Sequence, residues 1–158
     1  MRLVLSPPGP VVAPRRMTPS IPPAKEAPPA VGVVDSDPVA RAAIKALLQP
    51  VGVDVVPFES AEAYLLSGSG KPLACLIVDL LLPGMSGLEL LRRLRGHGNR
   101  MPVILLADES DVPTAVAAMR EGATDFIEKP YVNVAVLKQV RKLLHSHGAE
   151  DGGAMNVR

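Results

Sequence analysis

A chain of 158 residues with 47% hydrophobic and 21% charged side chains can form one domain of ordinary size around an apolar core. Its 17 basic and 16 acidic residues leave a formal net charge of +1, which excludes a strong field toward nucleic acid or anionic lipid, so neither direct DNA binding nor membrane association is expected. The single cysteine, Cys75, excludes an internal disulfide and a cysteine-rich metal site, and no apolar run approaches the roughly 20 residues of a membrane span, so we expect a cytoplasmic protein.

Residues 1–30 are rich in proline and predict a disordered arm. Proline fixes φ and removes an amide donor, so runs such as Pro7-Pro8-Gly9-Pro10 sustain neither a helix nor a sheet. An alternative is that translation starts at Met17, in which case part of this arm is not made. Residues 148–158 are glycine-rich and aperiodic and predict a flexible tail. The folded domain is therefore expected to span residues 31–147.

Within that span, short apolar runs alternate with amphipathic segments, which predicts five strand–helix units in series. The predicted strands are residues 31–34, 53–56, 73–78, 102–106 and 124–127. The predicted helices follow them, beginning at Asp37, Ser60, Ser86, Asp111 and about Val132, and the last helix is expected to end at His145. Such a series predicts an α/β fold, a doubly wound five-stranded parallel sheet with helices on both faces.

Local signals mark several of these helices. Asp37 followed by Pro38 is typical of an N-cap and the first helical position, and Ser86 with Glu89 matches a capping box. Apolar residues at helical spacing predict the buried faces. In the first helix they are Ala40, Ala43, Ile44, Leu47 and Leu48, and in the third helix they are Leu88, Leu91 and Leu94.

Three polar side chains follow predicted strands: Asp35 after the first, Asp79 after the third and Lys129 after the fifth. Folds of this class bind ligands beyond the carboxyl ends of their strands, and these three strands are expected to be neighbours. Two adjacent carboxylates repel each other, and a divalent cation relieves that repulsion by binding both. A lysine supplies a compact positive charge for a phosphoryl group. The combination favours a carboxylate nucleophile that attacks phosphorus.

Longer segments of the chain resemble the receiver domains of two-component response regulators, especially the FixJ-like subgroup. They cover nearly all of residues 31–145 and include Val33-Val34-Asp35, Phe58-Glu59-Ser60-Ala61-Glu62, Leu76-Ile77-Val78-Asp79, Pro83-Gly84-Met85-Ser86-Gly87-Leu88-Glu89-Leu90, Asp111-Val112-Pro113 and Gly122-Ala123-Thr124-Asp125-Phe126-Ile127-Glu128-Lys129-Pro130. The resemblance implies the CheY-like strand order 2-1-3-4-5. It also implies a phosphoprotein that acts in signal transduction rather than as an enzyme.

By this resemblance, Asp79 accepts a phosphoryl group from a sensor histidine kinase in a phosphorelay, and Lys129 pairs with that group. Asp35, Asp79 and the main-chain carbonyl of Leu81 are expected to hold Mg²⁺. The Lys129–Pro130 peptide bond is expected to be cis.

Two positions depart from the family pattern. Ser36 stands where a second acid usually follows Asp35, so the affinity for Mg²⁺ should fall. Rescue by Asp37 is an alternative, but its side chain is expected to cap the first helix. Ala107 stands where a Ser or Thr hydroxyl contacts the phosphoryl group, and alanine cannot donate that hydrogen bond. The coupling to Phe126, the aromatic residue that turns inward on activation, should therefore be weakened.

These departures favour an atypical stand-alone receiver that acts through protein–protein contacts. The alternative is a phosphorylation-independent pseudo-receiver, an interaction module whose unphosphorylated form is already recognised by its partner. A phosphatase-like enzyme is rejected, because no second acid follows Asp79 in Asp-x-Asp spacing. A downstream partner or a second copy is expected to bind the face of helix four, strand five and helix five, where Thr114, Ala117 and Ala118 predict a small, smooth exposed surface. No DNA-binding helix-turn-helix is expected after residue 147.

Overall fold

The computed structural model describes residues 3–4, 6–10, 27–68, 70–108, 111–130 and 133–152, with side chains as far as residue 146. Five strands and five α-helices alternate within these ranges. The strands are β1 (Ala30–Val34), β2 (Asp54–Phe58), β3 (Cys75–Asp79), β4 (Val103–Ala107) and β5 (Asp125–Glu128). The helices are α1 (Pro38–Leu48), α2 (Ala61–Leu66), α3 (Gly87–Gly96), α4 (Val112–Arg120) and α5 (Asn133–Gly152), and a short 3₁₀ helix (Gln49–Val51) follows α1.

The strands form one five-stranded sheet in the order β2-β1-β3-β4-β5. All four neighbouring pairs are parallel, which confirms the predicted fold class and strand order. The register aligns Val34 with Val78 and Asp79 with Leu106, and it aligns Ala107 with Glu128. The carboxyl ends of the three central strands and of β5 therefore lie at one edge of the sheet.

Alternate residues of each strand face the two helical layers, because successive side chains of a strand point to opposite sides. One face of the sheet packs against α1 and α5 through Ile44, Leu48, Val136 and Val140. The other face packs against α2, α3 and α4. Strands β1, β3 and β4 are buried along their whole length, which explains their uninterrupted apolar sequences.

Two helical stripes differ from the prediction. Ala43, predicted to be buried, is exposed, because α1 contacts the sheet through Ile44 and Leu48, four residues apart on one face. In α3 the buried leucines are Leu90, Leu91 and Leu94, whereas Leu88 is only half-buried. The prediction omitted Leu90, since a face that packs closely against a sheet is wider than one stripe of residues three apart.

Strand β2 extends through Pro57 to Phe58, although the prediction ended it at Val56. Proline is compatible with this position because β2 is an edge strand. The carbonyl of Phe58 accepts a hydrogen bond from the Asp35 N–H at 3.1 Å, so the backbone polar groups of Phe58 face β1. The nitrogen of the preceding residue, Pro57, therefore faces away from the sheet, where no ladder hydrogen bond is lost.

Helix α5 continues to Gly152, past the predicted end at His145 and into the predicted tail. A single glycine in a helix costs only about 1 kcal/mol, so Gly148 did not stop it. Most of the proline-rich arm, including residues 11–26, and the end of the tail, residues 153–158, lie outside the described residues. No helix in the described part of the chain is long and apolar enough to cross a membrane.

Cys75 is fully buried in β3. Burial raises the pKa of its thiol to about 12, so the thiol stays protonated and packs as a small apolar side chain.

Gly87 allows the first turn of α3 to approach the end of β3. A Cβ atom at this position would lie 2.5 Å from the carbonyl oxygen of Asp79 and 3.0 Å from the Cα of Leu80. Both are backbone atoms, so the helix or the strand end would have to move. We expect Gly87→Ala to lower the free energy of unfolding by about 1–3 kcal/mol, measured by urea denaturation.

Gly96, in the last turn of the same helix, provides a matched control. Apart from the adjacent residues and the backbone of the helix itself, no described atom lies within 4 Å of a Cβ atom built there. We expect Gly96→Ala to be neutral or to stabilise the chain by up to about 1 kcal/mol, because alanine restricts the unfolded chain more than glycine does. Equal destabilisation by both substitutions would contradict the close approach as the cause.

Candidate functional site

Asp35, Asp79 and Lys129 meet at the carboxyl edge of the sheet. Asp35 directly follows β1, Asp79 is the last residue of β3, and Lys129 directly follows β5. Asp35 is 1% exposed and Asp79 is 8% exposed. The structure thus places side by side the three side chains that the sequence predicted to converge.

Asp79 is held through both carboxylate oxygens. Its Oδ2 accepts a hydrogen bond from Lys129 Nζ at 3.0 Å, and its Oδ1 accepts one from the Leu81 N–H at 3.2 Å. Burial lowers the pKa of Lys129, but the hydrogen bond to Asp79 and the negative charge of that carboxylate outweigh burial and raise the pKa above its ordinary value. Lys129 therefore stays protonated and carries its charge against Asp79.

The two carboxylate oxygens of Asp35 have different surroundings among the described residues. Its Oδ1 accepts a hydrogen bond from the Asp37 N–H at 2.9 Å. Its Oδ2 is buried, and no donor among the described residues bonds to it. Burial, opposed by the hydrogen bond from Asp37 and reinforced by the negative charge of Asp79, raises the pKa of Asp35. A buried carboxylate oxygen without a donor is suited to a cation.

These residues fit a hard divalent cation such as Mg²⁺, which prefers oxygen ligands. The available oxygens are Asp35 Oδ2, the carboxylate oxygens of Asp79 and the main-chain carbonyl oxygen of Leu81. Leu81 is 56% exposed. In the described ranges no three His, Cys, Asp or Glu side chains come together as a metal site. Two carboxylates are therefore the acidic ligands that this arrangement offers.

Ser36 and Asp37 lie between β1 and α1, directly after Asp35. Ser36 is exposed. The carboxylate of Asp37 accepts a hydrogen bond from the Val39 N–H at 2.9 Å and caps α1, as predicted. This capping contact competes with coordination of a cation by the Asp37 carboxylate.

Two contacts near the site were missed by the sequence analysis. Arg41 Nη1 in α1 donates a hydrogen bond to the carbonyl oxygen of Asp35 at 2.6 Å. Glu62 in α2 accepts one from the Met85 N–H at 2.7 Å. Glu62 lies in one of the segments on which the family resemblance rests, and only that resemblance could have indicated that Glu62 is important. The spacing of residues in the sequence does not predict its contact with Met85.

The end of β4 carries no hydroxyl group. Ala107 is fully buried, and its carbonyl oxygen accepts a hydrogen bond from the Lys129 N–H at 2.7 Å. Phe126, opposite Leu105 in the register, is half-buried and packs against the core on the α2–α4 face. The Lys129–Pro130 peptide bond is cis, as the resemblance implied.

The predicted exposed surface on α4 needs one correction. Thr114 and Ala117 are exposed, but Ala118 is fully buried. Ala115 and Ala118, one turn apart, face the core, and Ala118 is rotated by about 100° from Ala117 around the helix. Val116 and Met119 complete the outer face and are 45% and 37% exposed, so this face is more apolar than predicted.

Residues 31–141 match the family model described as the response regulator receiver domain. The transcriptional regulatory protein FixJ of Azorhizobium caulinodans is 40% identical over 128 residues, which cover 81% of this chain and 60% of that protein. The response regulator protein TodT of Pseudomonas putida is 34% identical over 112 residues, which cover 71% of this chain and 49% of TodT. The chain therefore spans about half the length of the curated relatives that it matches.

The fold comparison agrees with the sequence comparison. The crystal structure of a response regulator receiver protein from Pseudoalteromonas atlantica superposes with a TM-score of 0.70 and 36% sequence identity. The match covers 75% of this chain and 99% of that structure.

Proposed function

The chain belongs to the family of response regulator receiver domains, and from that membership we propose that Asp79 accepts a phosphoryl group from a sensor histidine kinase. The observation that carries the proposal is the cluster in which Lys129 contacts Asp79 beside a buried Asp35 oxygen to which no described residue donates a hydrogen bond. Receiver domains act in signal transduction, and this geometry suits phosphoryl transfer to a carboxylate.

In the proposed reaction, a carboxylate oxygen of Asp79 forms a bond to phosphorus. The bond between phosphorus and the kinase histidine nitrogen breaks, and that nitrogen keeps the electron pair. Lys129, which lies 3.0 Å from Asp79 Oδ2, balances the negative charge of the phosphoryl oxygens. Asp35, Asp79 and the Leu81 carbonyl would hold Mg²⁺, which supplies further positive charge at the same place when bound.

We further propose that metal binding and switching are both weak in this receiver. With Ser36 in place of a second acid, fewer negative charges attract the cation, and affinity in oxygen-ligand sites follows the charge of the ligands. With Ala107 at the end of β4, no hydroxyl links the phosphoryl group to Phe126. Phosphorylation would therefore change the conformation less than in a receiver that has both groups.

The output is proposed to be a protein–protein contact of this receiver domain with a downstream partner or a second copy. The face of α4, β5 and α5 presents Thr114, Val116, Ala117 and Met119 to solvent, a surface that permits close approach. A second candidate function is a phosphorylation-independent interaction module, which the missing hydroxyl at Ala107 favours. Equal affinity of a partner for the wild type and for Asp79→Asn would support that second function.

Intact-protein mass spectrometry after incubation with acetyl phosphate tests the first function. We expect the wild-type chain to gain the mass of one phosphoryl group when Mg²⁺ is present, and Asp79→Asn to gain none, because the amide is not a comparable nucleophile. No gain under conditions that label an ordinary receiver would overturn the phosphoacceptor function and leave the interaction module. A gain that does not depend on Mg²⁺ would contradict the proposed metal site.

A further inference from the structure

The segment between β3 and α3, residues 80–86, is held at both ends by backbone hydrogen bonds. The Leu80 N–H donates to the Leu106 carbonyl at 2.8 Å, and the Leu80 carbonyl accepts from the Gly87 N–H at 3.0 Å. Ser86 is the N-cap of α3 and forms a complete capping box with Glu89. The middle of the segment, residues 81–85, includes the exposed Leu81 beside Asp79. We call residues 81–85 the site loop.

Helix α2 reaches the site loop through one side chain. Glu62 Oε1 accepts a hydrogen bond from the Met85 N–H at 2.7 Å, across 23 positions of sequence. Glu62 is half-buried, and its pKa is lowered, first by the hydrogen bond from Met85 and also by the positive charge of Arg93. An ionised carboxylate that accepts an amide hydrogen bond makes a stronger contact than a neutral acceptor.

Gly84 permits this carboxylate to lie directly against the loop backbone. Its φ angle is +75°, in the region that favours glycine. A Cβ atom at Gly84 would lie 2.7 Å from Glu62 Oε1. The carboxylate thus contacts two consecutive loop residues, 84 and 85, and fills the space that a side chain at position 84 would need.

We propose that Glu62 is a positioning residue that fixes the site loop, so that the Leu81 carbonyl is held beside Asp79 for Mg²⁺ binding. The proposal rests on the proposed function of Asp79 and Leu81 as Mg²⁺ ligands. Glu62 is not one of the proposed ligands. Its effect passes from Met85 and Gly84 along the short loop to Leu81, whose N–H is bonded to Asp79 Oδ1 at 3.2 Å. Groups that orient metal ligands in this way commonly change metal affinity strongly.

The test is a Mg²⁺ titration followed by NMR, with the amide signals of Leu81 and Met85 as readouts and no phosphoryl donor present. We expect Glu62→Ala to weaken Mg²⁺ binding by about tenfold and to speed hydrogen exchange at the Met85 amide. Glu62→Gln keeps an acceptor oxygen at the same distance along the side chain but loses the charge, and we expect it to weaken Mg²⁺ binding clearly less than Glu62→Ala does. Glu59→Ala is the matched control, because Glu59 is an exposed acid in the turn that leads to α2, and no change is expected.

Unchanged Mg²⁺ affinity in Glu62→Ala would overturn the proposal, and so would equal weakening by the alanine and glutamine variants. A wild-type chain that does not respond to Mg²⁺ would overturn it together with the metal site. Weaker Mg²⁺ binding in Glu62→Ala, combined with no gain of phosphate at Asp79 in the wild type, would support the proposal and overturn the phosphoacceptor function.

Discussion

Replacing Lys129 with alanine is expected to slow the transfer of a phosphoryl group to Asp79 by about 100-fold, the usual scale for removing one group that stabilises developing negative charge. Lys129 Nζ lies 3.0 Å from Asp79 Oδ2, and its side chain is only 25% exposed, so water does not replace the lost charge efficiently. The rate is measured by intact-protein mass spectrometry over time, with acetyl phosphate as the donor and saturating Mg²⁺.

Lys71 gives a matched control for this substitution. It also forms an ion pair, with Asp54 at the beginning of β2, but this pair lies at the opposite, amino-terminal edge of the sheet, and its side chains are 37% and 41% exposed. We expect Lys71→Ala to be labelled at the wild-type rate. Labelling of Lys129→Ala at that same rate would show that Lys129 does not stabilise the transfer.

Replacing Ser36 with aspartate is expected to strengthen Mg²⁺ binding by about tenfold, because the number of charged oxygen ligands sets affinity in such sites. The new carboxylate would stand next to Asp35, whose pKa is already raised by burial. In the absence of Mg²⁺, the added negative charge should therefore lower the free energy of unfolding. Isothermal titration with Mg²⁺ and urea denaturation with and without Mg²⁺ measure the two effects.

Asp37→Asn tests whether Asp37 takes the place of the acid that is absent at position 36. Asparagine also caps helices well, so the contact that Asp37 makes with the Val39 N–H is kept while the charge is removed. We expect the Mg²⁺ affinity to stay within about twofold of the wild type. A marked loss of affinity would mean that Asp37 substitutes for the acid that Ser36 lacks. An unchanged affinity in Ser36→Asp would contradict the assignment of position 36 to the metal site.

The fold followed from the sequence because its signals are local and repeated. Each buried strand is a short apolar run and each helix has apolar residues at helical spacing, so the alternation could be predicted from periodicity. In a parallel sheet, residues that follow the strands lie at one edge, and this rule is enough to predict that Asp35, Asp79 and Lys129 lie close together.

The parts that escaped prediction depend on tertiary contacts. The sequence pattern did not indicate that a carboxylate of α2 meets the amide of Met85, since no periodicity links positions so far apart. Nor did composition tell which small residue of α4 faces the core: Ala117 and Ala118 are identical side chains, and only the rotation of the helix against β4 and β5 buries the second. The burial of Asp35 Oδ2, which has no hydrogen-bond donor among the described residues, likewise depends on how closely the strands surround it.

The position of Pro57 in β2 has a consequence for how this domain associates with other chains. β2 is one edge strand of the sheet, and the backbone nitrogen of Pro57, the exposed fourth residue of its five, carries no hydrogen to donate. An incoming peptide cannot complete a regular ladder there, which disfavours both strand addition by a ligand and growth into fibrils. A partner that binds on the β2 side of the domain is therefore expected to contact side chains of the helices and loops rather than the backbone of β2.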